Sequence, residues 1–574
     1  MTKPDTIPDP HGGLLMDLLV DDERRVLLKE VAHNLPDVTL NERQLSDFEL
    51  LATGAFSPLT GFMTRTDYES VLDRMRLQSG LIWPLPVCLD VGETVARSLE
   101  VGQSLAVRDP EGFMLAVMHV EDIWKLDHER ESVRLFGHAD PEHPGVRHLF
   151  QRAGSYYVGG RLEVLSLPLH FEFKQLRQTP ADLRGIYRKL GWKRILGFPT
   201  HQPVHRRQFE MIVQAMRESR ANLLLLPVAG VPKPGDFDFY TRLRCLREVI
   251  RHFPPDSVVL NILPMASRPD GEREALLRSI VSKNFGCSHC LIEPEWKDVG
   301  GDGEAVQLGD AMPLDPAAEA CDRCEEIGVT LLPFREMVYM PFEDMYCPRE
   351  ELPEGARSVR MTGDDIRNRI RSGRRIPDWA TFPEVVTELQ KAYPAPERQG
   401  FTVFLTGLSG AGKSTVARIL YSRFLEIGGR PVSLLDGDIV RRNLSSELSF
   451  SKEHRDINVR RIGFVASEIT KNRGIAICAP IAPYQDTRRE IRETIEVYGG
   501  FIEVHMSTPL SVCERRDRKG MYAKARAGLI HGFTGVDDPY EEPEAPELEI
   551  DTTDISPDEA AQEILLYLGQ KGFI

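Results

Sequence analysis

The segment Gly407-Leu408-Ser409-Gly410-Ala411-Gly412-Lys413-Ser414 limits what this chain can fold into more than any other stretch. Glycines at this density let the backbone curl so that successive N–H groups point inward at an anion. The segment follows the apolar run Phe401–Leu405, which reads as a strand, and precedes a helical stretch from about Ser414. Strand, glycine loop and helix in that order make a P-loop, where the helix start adds the positive end of its dipole. The residues read as ATP-binding are Gly407, Leu408, Ser409, Gly410, Ala411, Gly412, Lys413, Ser414 and Thr415. Among them Lys413 is read as catalytic, neutralising charge on the β- and γ-phosphates. The Ser414 hydroxyl is placed for the Mg²⁺ that travels with ATP.

A P-loop belongs in a parallel sheet, and the following sequence provides one. Pro431–Leu435, Ile475–Ala479 and Phe501–Met506 read as strands separated by charged helical stretches, the alternation of an α/β fold. The first of these ends in Leu435-Asp436-Gly437-Asp438-Ile439-Val440-Arg441. Ligands bind beyond the carboxyl ends of such strands. Two carboxylates there suit Mg²⁺ handling and activation of a hydroxyl nucleophile. The same residue types also make ordinary turns, and the neighbouring P-loop decides for function.

The 574 residues, at roughly 100–200 per domain, correspond to several units. The expected organisation is α/β multidomain. Residues 401–574 form the P-loop kinase with a parallel sheet, and 391–400, with two prolines, charges and a terminal glycine, form an exposed linker. Residues 1–170, with short apolar runs and many turn residues, read as a β-rich domain. In 171–330 strand–helix alternation returns, with strands at Arg194–Phe198, Asn222–Pro227, Ser257–Leu263 and His289–Ile292. Residues 331–390 read as a small appended α/β unit.

The net charge of −16 argues against non-specific binding to nucleic acid or anionic membrane, both of which reward a basic surface. The N-terminus, MTKPDTIPDPHGG, has no apolar h-region, and no apolar run is long enough to span a bilayer. Nine cysteines fit free thiols in a reducing cytoplasm better than a disulfide framework. Cys287 with Cys290, and Cys321 with Cys324, have the spacing of a four-cysteine zinc site. Cys290 lies in an apolar strand-like run, however, and Cys321 and Cys324 in a helical one, so all four read as small buried hydrophobes rather than as a structural zinc site.

The C-terminal motifs in order are the P-loop, Asp436-Gly-Asp438-x-x-Arg441, Phe450, Arg455-x-x-Asn458-x-x-Arg461, Ala482-Pro-Tyr484, Lys519-Gly-Met-Tyr-x-Lys524 and Gly532-Phe533-Thr534-Gly535 with Asp538-Pro-Tyr540-Glu541. Together they resemble adenylylsulfate (APS) kinase. The resemblance implies transfer of the ATP γ-phosphoryl to the 3′-hydroxyl of APS, giving PAPS and ADP. It implies that Asp438 is catalytic and accepts the hydroxyl proton. It places Asp436, Arg441, Phe450, Arg455, Asn458, Lys524 and Phe533 at APS. Arg441, Arg455 and Asn458 would hold the phosphate–sulfate group, and the two phenylalanines would sandwich the adenine. Arg518–Tyr540 would form a lid. Where some members carry a phosphorylatable serine this chain has Ala482, so a phosphoserine intermediate there is excluded.

Phe56-Ser-Pro-Leu-Thr-Gly61-Phe62-Met63, Lys233-Pro-Gly-Asp236, Met337-Val-Tyr-Met-Pro341 and Ile370-Arg-Ser-Gly373 resemble ATP sulfurylase. That resemblance implies a PUA-like N-terminal domain and a Rossmann-like nucleotidyltransferase domain. Active members carry Gln-Thr-Arg-Asn-Pro-x-His-x-x-His; here the stretch is Pro199-Thr200-His201-Gln202-Pro203-Val204-His205-Arg206-Arg207-Gln208. Proline offers no N–H, His201 replaces the sulfate-binding arginine, Gln208 replaces the second histidine, and His205 remains. A second motif, Gly-Arg-Asp-His-Ala-Gly, has become Glu293-Pro294-Glu295-Trp296-Lys297-Asp298, and another family histidine is Leu226. The expectation is an APS kinase using ATP and APS as small-molecule substrates, with a sulfurylase-like part that is catalytically dead. That part would serve as an assembly scaffold in a homo-oligomer, a hexamer or a dimer. The alternatives are a bifunctional PAPS synthetase and a regulatory nucleotide-binding module.

Overall fold

The computed structural model describes residues 6–141, 143–230, 237–266, 268, 271–292, 323–353, 355–449 and 451–574. Its contacts divide it into two units, Met1–Asp365 with Pro377–Glu388, and Ile366–Ile376 with Leu389–Ile574.

The first unit opens with a six-stranded mixed sheet. Its strands are β1 (Asp37–Thr39), β2 (Gly61–Phe62), β3 (Leu89–Val91), β4 (Ser104–Arg108), β5 (Met114–Lys125) and β6 (Tyr156–Val164). They run in the order β1-β4-β5-β6-β2, with β3 also on β6. Only β1 and β4 pair in parallel. This is the β-rich domain expected from the turn-laden N-terminal sequence. Beside β6, Glu131 is buried and accepts hydrogen bonds from Tyr68 (2.8 Å) and Tyr157 (3.1 Å). Burial pushes its carboxyl up to about 7 against the help of both tyrosines.

A second sheet of the same unit holds β7 (Ile195–Thr200), β8 (Asn222–Pro227), β9 (Val258–Leu260), β10 (His289–Leu291) and β11 (Thr330–Leu332). All pairs are parallel, in the order β11-β10-β7-β8-β9. β7 is buried at every residue, as a sheet covered on both faces requires. Chain order reverses between β7 and β10, which makes their carboxyl ends the binding crevice of this doubly wound fold. β12 (Met337–Met340) and β13 (Met345–Pro348) form a separate antiparallel hairpin. Cys287, Cys290 and Cys324 are buried; Cys290 donates to Ser282 and Cys324 to Ser279 at 3.6 Å each. Among the described residues no cluster of three or more His, Cys, Asp or Glu could hold a metal. Cys321 lies outside them.

The second unit carries β14 (Phe401–Gly407), β15 (Val432–Asp436), β16 (Ile475–Ala479), β17 (Gly500–Met506) and β18 (Leu548–Ile550), all parallel, in the order β15-β16-β14-β17-β18. The period of two along β14 divides its side chains between two cores. Phe401, Val403 and Leu405 join Val416, Leu420 and Phe424 of the helix Lys413–Ile427. Phe404 faces Ile462, Ala466 and Ile491 on the opposite side. The strand bearing the P-loop is thus the centre of the sheet. Among the described residues no helix is long and apolar enough to cross a membrane.

Candidate phosphoryl-transfer site

The glycine loop turns at the carboxyl end of β14 in a conformation closed to other residues. Gly407 has φ 140°, and a Cβ there would lie 2.6 Å from the Met506 carbonyl oxygen; Gly412, the N-cap of Lys413–Ile427, has φ 95°. The outward carbonyls of the loop are occupied from behind. Tyr522 donates to Ser409 O at 2.9 Å, Arg516 to Gly410 O at 3.3 Å and Thr552 to Ala411 O at 3.3 Å. Arg516 also grips Thr552 through its hydroxyl (2.8 Å) and carbonyl (2.6 Å). This backing leaves the amide face of the loop for phosphate.

Lys413 is buried, and its ammonium donates to the carbonyls of Gly407 and Leu408 at 2.7 Å each. Burial draws its pKa down to about 8; nearby Cys513 and Asp436 oppose the shift and Lys519 adds to it. Ser414 and Thr415 follow in the first turn of the helix. A glycine cradle, a buried ammonium and a hydroxyl at the helix start form a donor set that fits the triphosphate and its Mg²⁺. Asp436 ends β15 and is buried. Asp438 lies in the helix Gly437–Leu444 that follows; its side chain, like Phe450, lies outside the described residues.

The other residues expected at APS come from the helices Gly437–Leu444 and Lys452–Lys471 and from the segment after Arg518. Arg455 donates to Thr534 Oγ1 (2.8 Å) and the Tyr484 hydroxyl (3.0 Å), and pairs with Asp538 at 2.9 Å. Tyr484 also donates to Asp538 at 2.9 Å. Asn458 is buried one turn along the same helix. Phe533 packs edge-on against Tyr522, ring centroids 5.0 Å apart. Arg441 donates to the carbonyls of Leu448 and Ser449 at 3.1 Å each. Lys524 is exposed on the short helix Met521–Arg526. The structure therefore brings Arg455, Asn458, Phe533 and the P-loop backing into one unit with Asp436.

Sequence reasoning missed the partners. Arg488 is fully buried, pairs with Glu503 at 3.0 Å, and donates to the Ala482 and Glu541 carbonyls. Ala482 itself is left-handed, φ 48°. Tyr540 hydrogen-bonds Thr406 at 3.0 Å and stacks on His505. Tyr484, Asp538 and Tyr540 all stand inside the motifs already noted, so the motifs themselves were the signal.

The first unit has a different crevice. Pro199 lies inside β7, paired with Leu226 of β8. His201 follows the strand; its Nε2 lies 2.7 Å from Arg278 Nη2, a group that can only donate. Arg278 in turn is neutralised by Glu274 at 2.6 Å. Gln202 N donates to Thr200 Oγ1 at 3.1 Å. His205 is the N-cap of Arg206–Ser219: its side chain takes the Gln208 amide while Gln208 Oε1 accepts from the His205 N–H at 3.2 Å, a capping box. His205 Nδ1 also lies 2.9 Å from Thr381 Oγ1. Glu293, Glu295 and Trp296, which follow β10, and the motif 233–236 lie outside the described residues.

These two sites define a P-loop kinase domain joined to a nucleotidyltransferase-like body. A family model described as adenylylsulphate kinase matches residues 399–551, one described as a PUA-like domain matches 8–167, and one described as ATP-sulfurylase matches 174–392. The chain is 43% identical over 569 residues to a sulfate adenylyltransferase of Chaetomium globosum, covering 98% of this chain and 99% of that one. It is 42% identical over 570 residues to one of Gibberella zeae, with the same coverage. A solved structure titled a hexameric APS kinase from Thiobacillus denitrificans is 41% identical, covers 99% of this chain and 100% of its own, and superposes with a TM-score of 0.78. The chain belongs to the sulfate adenylyltransferase family, in the form that carries a C-terminal APS kinase domain.

Proposed function

We propose that this protein is an APS kinase, transferring the γ-phosphoryl of ATP to the 3′-hydroxyl of APS, and that its sulfurylase-like body performs no adenylyl transfer. One contrast carries the reading. The P-loop lysine is buried in a glycine cradle backed by Tyr522, Arg516 and Thr552. In the other crevice the residues at the sulfurylase positions are engaged in holding the fold: Pro199 in β7, His201 on Arg278, and His205 with Gln208 as a helix cap.

In this mechanism the loop amides and Lys413 hold the β- and γ-phosphates and stabilise the charge that spreads over the transferred group. Ser414 and Asp436 would hold Mg²⁺, which supplies further neutralisation of phosphate charge when bound. Asp438 takes the 3′-hydroxyl proton. Arg441, Arg455 and Asn458 hold the sulfate–phosphate anion, Lys524 adds positive charge, and Phe450 and Phe533 stack on the adenine. In the first unit His201 and a proline replace cationic and amide donors. Each missing donor of this kind costs about 10²–10³ in rate. The solved relative whose title names it an APS kinase spans the same full length, which supports the reading; its title also calls it hexameric, in keeping with a homo-oligomer here.

The purified protein, given APS with MgATP, is expected to form PAPS and ADP. Given sulfate with MgATP, or APS with pyrophosphate, it is expected to form neither APS nor ATP. Adenylyl transfer in either direction overturns the second half of the reading, and absence of PAPS overturns the first. A monomer by light scattering overturns the scaffold role.

A further inference from the structure

The Arg455 guanidinium presents five N–H donors in one plane. Nη1 is taken by Thr534 and Nη2 by Tyr484 and Asp538. Its Nε–H is buried with no hydrogen-bond partner, and so is Oδ1 of Asn458 one turn along the same helix. Buried polar atoms are costly to leave unmet, and a polar ligand bound here would meet both. The attitude of the guanidinium is set by Tyr484 and the segment Gly532–Asp538. That segment is knitted tightly. The Asp537 carboxylate accepts from Gly532 N (2.6 Å) and from Phe533 N, and Gly535 N donates to Asp538 O at 2.8 Å. Phe533 stands near one end of this turn and Asp538 at the other. Tyr484 stays a donor to Asp538, since burial and that carboxylate push its hydroxyl up to about 12.

We propose that Asp538 is a positioning residue for the acceptor. Its ion pair with Arg455 fastens the turn that carries Phe533 to the helix Lys452–Lys471. This sets the distance between the aromatic face that takes the adenine and the guanidinium that takes the phosphate–sulfate anion. The inference rests on the reading of Arg455 and Phe533 as APS contacts. A purely electrostatic account makes the opposite demand, because a carboxylate beside an anion site repels the anion and its neutralisation should tighten APS.

Asp538→Asn in the full chain decides between them by initial rates with APS and MgATP varied independently. Loss of a charge-assisted bond predicts a rise of about tenfold in KM for APS, with KM for ATP and kcat held within about threefold. Tyr484→Phe, which removes one bond to the same carboxylate, should raise KM for APS by a smaller factor with the same split. A folded, active Asp538→Asn protein with an unchanged or lower KM for APS overturns the inference while leaving the kinase reading intact. If that variant does not fold, an unchanged KM for APS in Tyr484→Phe overturns it equally. A wild-type protein that makes no PAPS overturns the kinase reading, and this inference with it.

Discussion

Lys413→Met separates what the P-loop lysine does for the fold from what it does for catalysis. Methionine keeps much of the side chain's length and removes the charge. In the folded protein burial lowers the ammonium pKa from 10.5 to about 8. That difference of about 2.5 units, at ~1.36 kcal/mol each, sets about 3 kcal/mol against the folded state below about pH 8, where the lysine is protonated in both states. Two hydrogen bonds from the ammonium to Gly407 and Leu408, at ~1.5–3 kcal/mol each for a charged donor, offset most or all of it. The variant should therefore melt within about 5 °C of wild type at pH 7. The sign of the pH dependence follows from a lysine pKa that is lowered on folding. The penalty is complete below about pH 8 and fades as pH rises toward 10.5, so the standing of the variant relative to wild type is best at pH 7 and declines by pH 9.5. Catalysis has no such compensation: charge developing on the transferred phosphoryl loses its cation, and kcat should fall at least about 10³-fold. PAPS and ADP measured by chromatography at saturating APS and MgATP, beside melting curves at both pH values, test both halves. A kcat above a tenth of wild type refutes the catalytic role, and a fall in Tm of more than about 10 °C refutes the energetic argument.

Asp438→Asn, nearly isosteric but unable to take a proton, should lower kcat by about 10²-fold or more with little change in KM for APS; a rise in KM alone places the base elsewhere. His201→Arg should restore no sulfurylase activity, read as ATP formed from APS and pyrophosphate, because residues acting as a unit are strongly non-additive and Glu274 already neutralises the neighbouring Arg278; measurable ATP synthesis refutes this. Glu131→Gln tests the buried carboxyl near pH 7. An acid whose folded pKa is raised above its unfolded value loses stability as pH climbs from about 4.5 to about 7, so the variant should gain on wild type by roughly 2–3 kcal/mol between pH 4.5 and pH 8 in urea titrations. A difference independent of pH refutes the shift.

Much of the kinase site was legible because its chemistry is local in sequence. The P-loop declares its own turn, Asp436 ends the next strand and Asp438 follows directly after it. The strands expected at Asn222–Pro227 and Ile475–Ala479 match β8 and β16, since apolar runs bounded by turn residues announce buried parallel strands. The three-residue β18 carried no such run: Leu548–Ile550 alternates around Glu549 and is a strand because β17 gives it a partner. Arg488 and Arg516 were invisible for a similar reason. Their neighbours are loop carbonyls that only the fold brings near, and a charged residue in a helix reads as solvated until its partners are placed. The helix cap at His205 and Gln208 shows a further limit. Spacing alone could not say whether two polar residues three apart face a ligand or their own helix end.

That cap also governs how the first unit can change. A hydrogen bond of this kind contributes about 0.5–1.5 kcal/mol, and Gln208 supplies one by accepting from the His205 N–H. Putting a histidine back at 208 would withdraw the amide that closes the cap before any catalytic gain could appear, since the other changes would still be present. On the proposed reading, a first substitution toward the sulfurylase motif therefore costs stability and leaves activity level. On that reading the crevice would behave as a one-way door: the side chains at the sulfurylase positions belong to the framework, and a substitution aimed at chemistry there would first cost stability.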